Sequence, residues 1–211
     1  MNFIILADKF QKRMKSKGCV GLININNKNI IQSQHKLIKK FFPLANIIYV
    51  YGFEGKKLLS FLKKNNNLAN DIILLFNKHY EDFNNAYSLF LAKEYLDDDT
   101  FILFGDNILT NNIFDRFDHN LGSQIFISHK NKNRLGCIIQ DNKIENICFD
   151  LDNYLYEIYY FSKKDIGLLK HLVDNEQNHN NFLFELLNKL IDKDIDIKPF
   201  FTDRIRVNNE K

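Results

Sequence analysis

The sequence predicts an α/β fold: three layers, α/β/α, around a central mixed and mostly parallel sheet, plus a smaller antiparallel sheet. Three observations lead there. Short apolar runs alternate with amphipathic segments through residues 1–120, the β-α-β order that builds a parallel sheet with helices on both faces. After residue 120 the runs are shorter and follow one another more directly, as antiparallel strands do. No Pro/Gly-rich linker or internal repeat divides the 211 residues, so the halves 1–120 and 121–211 read as one domain.

Each element has its own warrant. NFIILA (2–7) is continuously apolar, as a strand buried on both faces is, and GLININ (21–26) is a brief extended piece. Ile30 to Phe42 places apolar residues at helical spacing. NIIYVY is a strand that Gly52 ends, and GKKLLSFLKKN is a short helix closed by the polar run 65–67. DIILLFN is a third strand, NNAYSLFLAKEYL a helix beginning at Asn84 or Asn85, and TFILFGD the strongest strand of the chain. SQIFISHK, LGCIIQD, KIENICFD and YEIYYFS are the antiparallel candidates, with Asp141-Asn142 at a hairpin turn. KKDIGLLKHLVD and NFLFELLNKLIDK are helices, and KPFF and RIRVNN close the chain.

Composition narrows the function classes. A net charge of +3 is a mild basic excess, and the lysines between Lys9 and Lys17 are its only concentration. They lack the aromatic stacking motif of a nucleic-acid groove, so nucleic acid is not expected as a partner. Three cysteines without ligand spacing read as reduced thiols of a cytoplasmic protein, and six scattered histidines outline no zinc site. NFIILA is too short for a signal peptide, and no apolar run approaches the ~20 residues that span a membrane.

Two stretches carry chemistry. Asp106 ends FILFGD, where a strand delivers a carboxylate to the sheet's carboxyl edge, a place for Mg²⁺ held against a triphosphate or for a turn-forming Asp. Asn77, Asn84, Asn85 and Ser88 cluster about a helix N-terminus, where amides are free to meet a ligand or asparagine simply caps.

In order and spacing these stretches resemble the nucleotidyltransferases of glycosyltransferase-A-like fold (nucleotide-diphospho-sugar transferase-like), most of all bacterial choline-phosphate cytidylyltransferases. Leu6-Ala7 through Arg13-Met14 to Leu22, Asn27-Lys28 and Ile30-Ile31 follow the spacing of L-A-A-G-x-G-S-R-[LM] and the strand after it. YVYGFEGKKL resembles a strand end V-x-G-Y, and FNKHYEDFNNAYSLFLAKEYL is similar to N-x-x-Y-x-x-x-N-N-x-Y-S-L-x-L-A-x-E-x-L. FILFGDNIL resembles the strand of the metal aspartate. YEIYYFS resembles an acceptor-side strand ending G-x-Y-x-F-S, and IRVNNEK resembles I-x-[VI]-[DN]-T-P-E-D.

The resemblance implies residues 1–120 as a nucleotide-binding half and 121–211 as an acceptor half. It implies transfer of a nucleotidyl group from a nucleoside triphosphate, CTP or UTP foremost, to a phosphorylated sugar or amino alcohol such as phosphocholine, with release of pyrophosphate, in surface-glycan or headgroup synthesis. Arg13 and Asp106 become catalytic residues. Ala7, Lys9, Lys12, Arg13 and Gly52 become nucleotide contacts, and Asn77, Asn84, Asn85 and Ser88 acceptor contacts. Mg²⁺ is the implied cofactor, with Asp106 and Asn208 as its ligands. The chain ends inside the last motif, so a longer protein, with a fused or partner enzyme of the same pathway, is also expected.

The departures sharpen the question. The two loop glycines fall at Lys9 and Gln11, the Pro-Lys pair at Cys19-Val20, and Asn208 stands where aspartate is common. Glycines let backbone amides face phosphates, and lysine neutralises charge that Val20 does not. Two readings stay open: an atypical active nucleotidyltransferase, or a degenerate domain kept for ligand binding or protein assembly.

Overall fold

The structure, a computed structural model, describes residues 1–9, 18–128 and 135–202. It has the expected three-layer α/β architecture. The strands in chain order are β1 (Asn2–Ala7), β2 (Asn24–Ile25), β3 (Lys28–Asn29), β4 (Asn46–Tyr51), β5 (Ile72–Phe76), β6 (Thr100–Phe104), β7 (Gln124–Ser128), β8 (Leu135–Gln140), β9 (Lys143–Phe149), β10 (Tyr154–Phe161) and β11 (Lys198–Phe201). The helices are α1 (Ile30–Phe41), α2 (Gly55–Lys63), α3 (Asn66–Asn70), α4 (Asn85–Leu91), α5 (Ile166–Asp174) and α6 (Leu183–Ile191).

The sheet runs β11-β7-β10-β6-β1-β4-β5. β6, β1, β4 and β5 are parallel, with Ile4 of β1 opposite Ile48 and Ile102. β10 lies antiparallel to both β6 and β7, and the β8-β9 hairpin joins through β10. The antiparallel strands therefore extend the central sheet at the β6 side.

Strand alternation divides the core in two. Ile4, Leu6, Val50 and Ile102 face Leu89 of α4, Leu169 of α5 and Leu186 of α6. Phe3, Ile5, Tyr49 and Leu103 face Ile31 and Ile38 of α1 and Leu58 of α2. Every residue of β1 is buried, the expected state of a central parallel strand. Each such Leu or Ile contributes about 1.5–3 kcal/mol by leaving water.

Three local expectations differ. GLININ is a 3-10 turn at Val20–Leu22 followed by the β2-β3 hairpin, because Asn26 and Asn27 take left-handed φ values of 51° and 63° and turn the chain back. The polar run after α2 begins a further short helix, α3, which buries Leu68. The helix from Asn85 ends at Leu91 and tightens into a 3-10 turn at Lys93–Tyr95. The Asp141-Asn142 turn forms as expected, with φ of 49° and 61°. RIRVNN lies outside the described residues.

Candidate functional site

The parallel strands β1, β4, β5 and β6 end at one edge, where open α/β sheets bind ligands. A small cleft there is lined by Ala7, Asp8, Lys9, Gly18, Val20, Asn85, Gly105 and Asp106. Val20, the position of the motif lysine, thus stands at the cleft with Asp106.

Asp106 is held by a tightly specified turn. The Gly105 amide donates to the Leu6 carbonyl at 2.8 Å, joining the turn to β1. A Cβ on Gly105 would lie 2.4 Å from the Ala7 Cβ and 2.9 Å from Val20 Cγ1, so only glycine fits beneath the aspartate. Gln34 of α1, fully buried, donates to the carbonyls of Phe104 and Asn107 at 3.0 Å each. Asn107 Oδ1 accepts from the Phe104 amide at 2.6 Å. We expect Gly105→Ala to destabilise the fold by about 1–3 kcal/mol through overpacking, read as a lower unfolding midpoint; an unchanged midpoint contradicts the close fit.

Asp8, at the position of the second motif alanine, is the residue that the sequence left unmarked. It is 1% exposed. Its Oδ2 accepts from Asn77 Nδ2 at 2.8 Å and from Ser88 Oγ at 2.9 Å, and its carbonyl accepts from the Phe53 amide at 3.0 Å. Burial pushes its pKa up, and the Ser88 and Asn77 hydrogen bonds oppose that. Beside it, burial lowers the Lys9 pKa against the attraction of Asp8 and Asp82. Gly52 completes this corner: a Cβ there would lie 2.9 Å from the Asp8 carbonyl and 2.7 Å from Tyr80 Cβ.

The asparagine motif therefore splits. Asn77 and Ser88, both buried, lie under the cleft and bind Asp8. Asn85 lines the cleft itself. Asn84 turns away, donating through Nδ2 to the Asn180 carbonyl at 2.7 Å. Part of the helix N-terminus is engaged within the fold, because the Asn84 and Ala86 amides donate to the carbonyls of His179 and Asn181. Asn84 does not cap α4 with its side chain. The loop 179–181, distant in sequence, takes that place. Lys12, Arg13, Gln11 and Asn208 lie outside the described residues.

Glu157 is the second unmarked residue. It stands on β10 where the resembled strand G-x-Y-x-F-S carries glycine, and its φ is 55°, the left-handed region that glycine tolerates and glutamate does not favour. The register of β10 against β7 shifts between Leu155 and Tyr159, so Glu157 sits in a bulge. Burial pushes its carboxyl up to about 7, and the charge of Asp106 adds to the shift. With its folded value above the ordinary 4.5, this group's contribution to stability is full below 4.5 and is lost as pH rises through about 7. Glu157→Gln should therefore stabilise the fold at about pH 8 by roughly 2–3 kcal/mol and change little at about pH 4. Urea titrations at the two pH values check this, and an equal effect at both contradicts it.

Mg²⁺ is usually held through one or two carboxylates together with substrate phosphates. Asp106 fits an ion of that kind, arriving with a triphosphate. Among the described residues no group of three or more His, Cys, Asp or Glu side chains could hold a metal by itself, and no helix is long and apolar enough to cross a membrane.

No family model matches the chain. A choline-phosphate cytidylyltransferase of Streptococcus pneumoniae (strain ATCC BAA-255 / R6) is 33% identical over 117 residues, which are 54% of this chain and 48% of that protein. The match thus spans about half the length of this curated relative. Among solved structures, the CTP:phosphocholine cytidylyltransferase of Streptococcus pneumoniae superposes with a TM-score of 0.78 at 22% identity, over 96% of this chain and 90% of that one. The inositol-1-phosphate CTP transferase of T. maritima gives a TM-score of 0.76 at 20% identity, over 96% and 86%. The likeness first carried by LA, NNAYSL and FILFGD therefore extends through the folded chain, which has the nucleotidyltransferase fold and counts cytidylyltransferases among its relatives in sequence and in structure.

Proposed function

We propose that the chain is a nucleotidyltransferase of the cytidylyltransferase type. It transfers a nucleotidyl group from a nucleoside triphosphate, CTP before UTP, to a phosphorylated amino alcohol or sugar in headgroup or surface-glycan synthesis. The carrying observation is Asp106, held by Gly105, Gln34 and Asn107 at the cleft shared with Lys9, Val20 and Asn85. In the reaction an acceptor phosphate oxygen bonds to the α-phosphorus as the bond to the β-phosphate bridging oxygen breaks, and pyrophosphate leaves with that electron pair. A phosphate monoester is mostly dianionic near neutral pH, so the nucleophile needs no general base. Positioning and charge neutralisation then dominate. Mg²⁺ on Asp106 would supply Lewis-acid neutralisation of the phosphates. Lys9, with Lys12 and Arg13, supplies the cationic side chains where the motif relies on backbone amides.

A second reading, a domain that keeps the fold for ligand binding or assembly, is favoured by one observation. Asp8 puts a buried carboxylate at the base of the segment that should cradle a triphosphate. Calorimetry with CTP and UTP plus Mg²⁺, at low and high ionic strength, and a pyrophosphate-release assay separate the two. The transferase reading expects CTP binding that weakens with salt, since side-chain charges replace the cradle, together with turnover. Absence of binding and turnover, with both gained on Lys9→Gly, Gln11→Gly and Val20→Lys together, supports the second reading.

A further inference from the structure

The Pro-Lys pair of the motif falls at Cys19-Val20, and both halves of that exchange leave a mark on the structure. Proline has no backbone N–H. Cys19 has one, and its amide donates to Glu54 Oε2 at 3.1 Å. The other oxygen, Oε1, accepts from Lys57 Nζ at 2.6 Å. One carboxylate thus joins the segment that replaces Pro-Lys to a lysine in the first turn of α2. Gly18 lies against the same pair: a Cβ there would run into Glu54 Oε2 and stand 4.0 Å from Lys57 Nζ. Gly18 and Val20 both line the cleft of Asp106. The Lys57 ammonium therefore sits beside the cleft wall, next to a residue only two positions along the chain from that of the motif lysine.

Local helix energetics do not account for this arrangement. Glu54 takes a left-handed φ of 52°, which a residue with a Cβ disfavours, and backbone strain of this kind gathers at functional sites. Lys57 stands in the first turn of a helix, where the helix dipole opposes a cation. Its side chain is 67% exposed, and an exposed ion pair offers little stability in return. The contact with Glu54 uses one of the three ammonium N–H bonds and orients the group. A cation with donors to spare, beside a cleft that lacks its motif lysine, is complementary to phosphate oxygens.

Building on the transferase reading above, we infer that Lys57 supplies to the phosphates of a nucleoside triphosphate the cation absent at Val20, and that Glu54 is the positioning residue that sets it against the cleft wall through the Cys19 amide. Loss of the proline and loss of the lysine are then one compensated change. The amide that proline lacks anchors the carboxylate, and the carboxylate holds the lysine that takes over the charge.

The test is calorimetry of the full chain with CTP plus Mg²⁺ and with tripolyphosphate, alongside pyrophosphate release with phosphocholine, phosphoethanolamine and glucose 1-phosphate. Lys57→Met should weaken binding of both ligands by at least about tenfold. Lys56→Met, which removes the same charge from the neighbouring exposed position, should stay within about threefold of the wild type. Val20→Lys should strengthen CTP binding at least about tenfold more in the Lys57→Met background than in the wild type, since one cation then stands in for the other. Glu54 is read in the free protein by thiol labelling, because Cys19 and Cys137 are buried and Cys148 is exposed. Glu54→Ala should speed labelling of Cys19 and leave Cys137 unchanged, which reports opening of the cleft wall and not of the whole fold. A Lys57→Met variant that matches Lys56→Met, or a Val20→Lys gain equal in both backgrounds, overturns the inference even if the wild type turns over. Cys19 labelling that rises only together with Cys137, or not at all, removes Glu54 as the anchor. Lys57-dependent CTP binding without pyrophosphate release from any of the three acceptors instead overturns the transferase reading and leaves the cation assignment standing. A wild type that binds neither ligand overturns both.

Discussion

Asp106→Asn should lower pyrophosphate release by about 10²–10³-fold, the usual loss when one preorganised electrostatic contact is removed. The change deletes a charge and preserves shape, so the free energy of unfolding should stay within about 0.5 kcal/mol of the wild type. The surrounding turn gives reason to expect this. Gln34 holds the carbonyls on both sides of Gly105-Asp106 from α1, Asn107 ties back to the Phe104 amide, and the Gly105 amide is anchored on β1. None of these contacts uses the Asp106 carboxylate. A second readout comes from Glu157, whose carboxyl is raised first by burial and then by the Asp106 charge. Removing that charge should move the Glu157 carboxyl downward from about 7, which carbon-detected NMR titration follows. Unchanged turnover in a folded variant that binds CTP would remove Asp106 from the chemistry. An unmoved Glu157 titration would show that the two carboxylates do not sense each other.

The larger effect on stability is expected beneath the cleft. Asn77→Leu should destabilise the fold at about pH 8 by roughly 3–5 kcal/mol, because it leaves a buried carboxylate short of a donor and sets an apolar group against it. Asn77 also accepts from the His79 amide at 2.8 Å, and its own amide donates to the Tyr51 carbonyl at 2.8 Å. Asn77 therefore joins the ends of β1, β4 and β5, the first through its side chain and the second through its backbone amide, which the substitution leaves in place. The pH dependence separates charge from shape. Asp8 has a folded pKa raised above 3.8, so its contribution to stability is full below 3.8 and is lost as pH rises through the folded value. The penalty of Asn77→Leu should shrink on acidification as Asp8 takes up a proton. Asp8→Asn keeps an oxygen for Asn77 and Ser88 and removes the charge, so it should be more stable than the wild type at about pH 8 and should flatten the pH profile. Urea unfolding across the pH series measures all three proteins. A penalty for Asn77→Leu below about 1 kcal/mol would mean that this buried pair contributes only an ordinary neutral hydrogen bond.

The amino-acid sequence by itself determined the layer architecture and the course of most elements. A run such as NFIILA, apolar at every position, has one stable place, a central strand covered on both faces, and the helical spacing of Ile30–Phe42 requires a helix lying on that sheet. Asp106 was legible for the same reason, since a carboxylate at the end of a buried strand must emerge at the sheet's edge. The Asp141-Asn142 turn was legible because its conformation is local. Tertiary structure alone decided what the motif residues do. Asn84 meets Asn180, 96 positions away, Ser88 meets Asp8 across 80 positions, and Gln34 reaches Phe104 across 70. Hydrogen bonds over such separations leave no periodic trace in either partner's neighbourhood. Asp8 read as one more polar residue at the end of a strand, and its burial depends on β5 and α4 closing over it. Glu157 read as a polar position in an apolar strand. Its place beside Asp106 arises because β10, which follows β6 by some fifty residues, pairs with it antiparallel and bulges at that residue. Local pattern records which surfaces must leave water, whereas the partners of a buried charge are chosen by the packing of elements that the chain brings together only when folded.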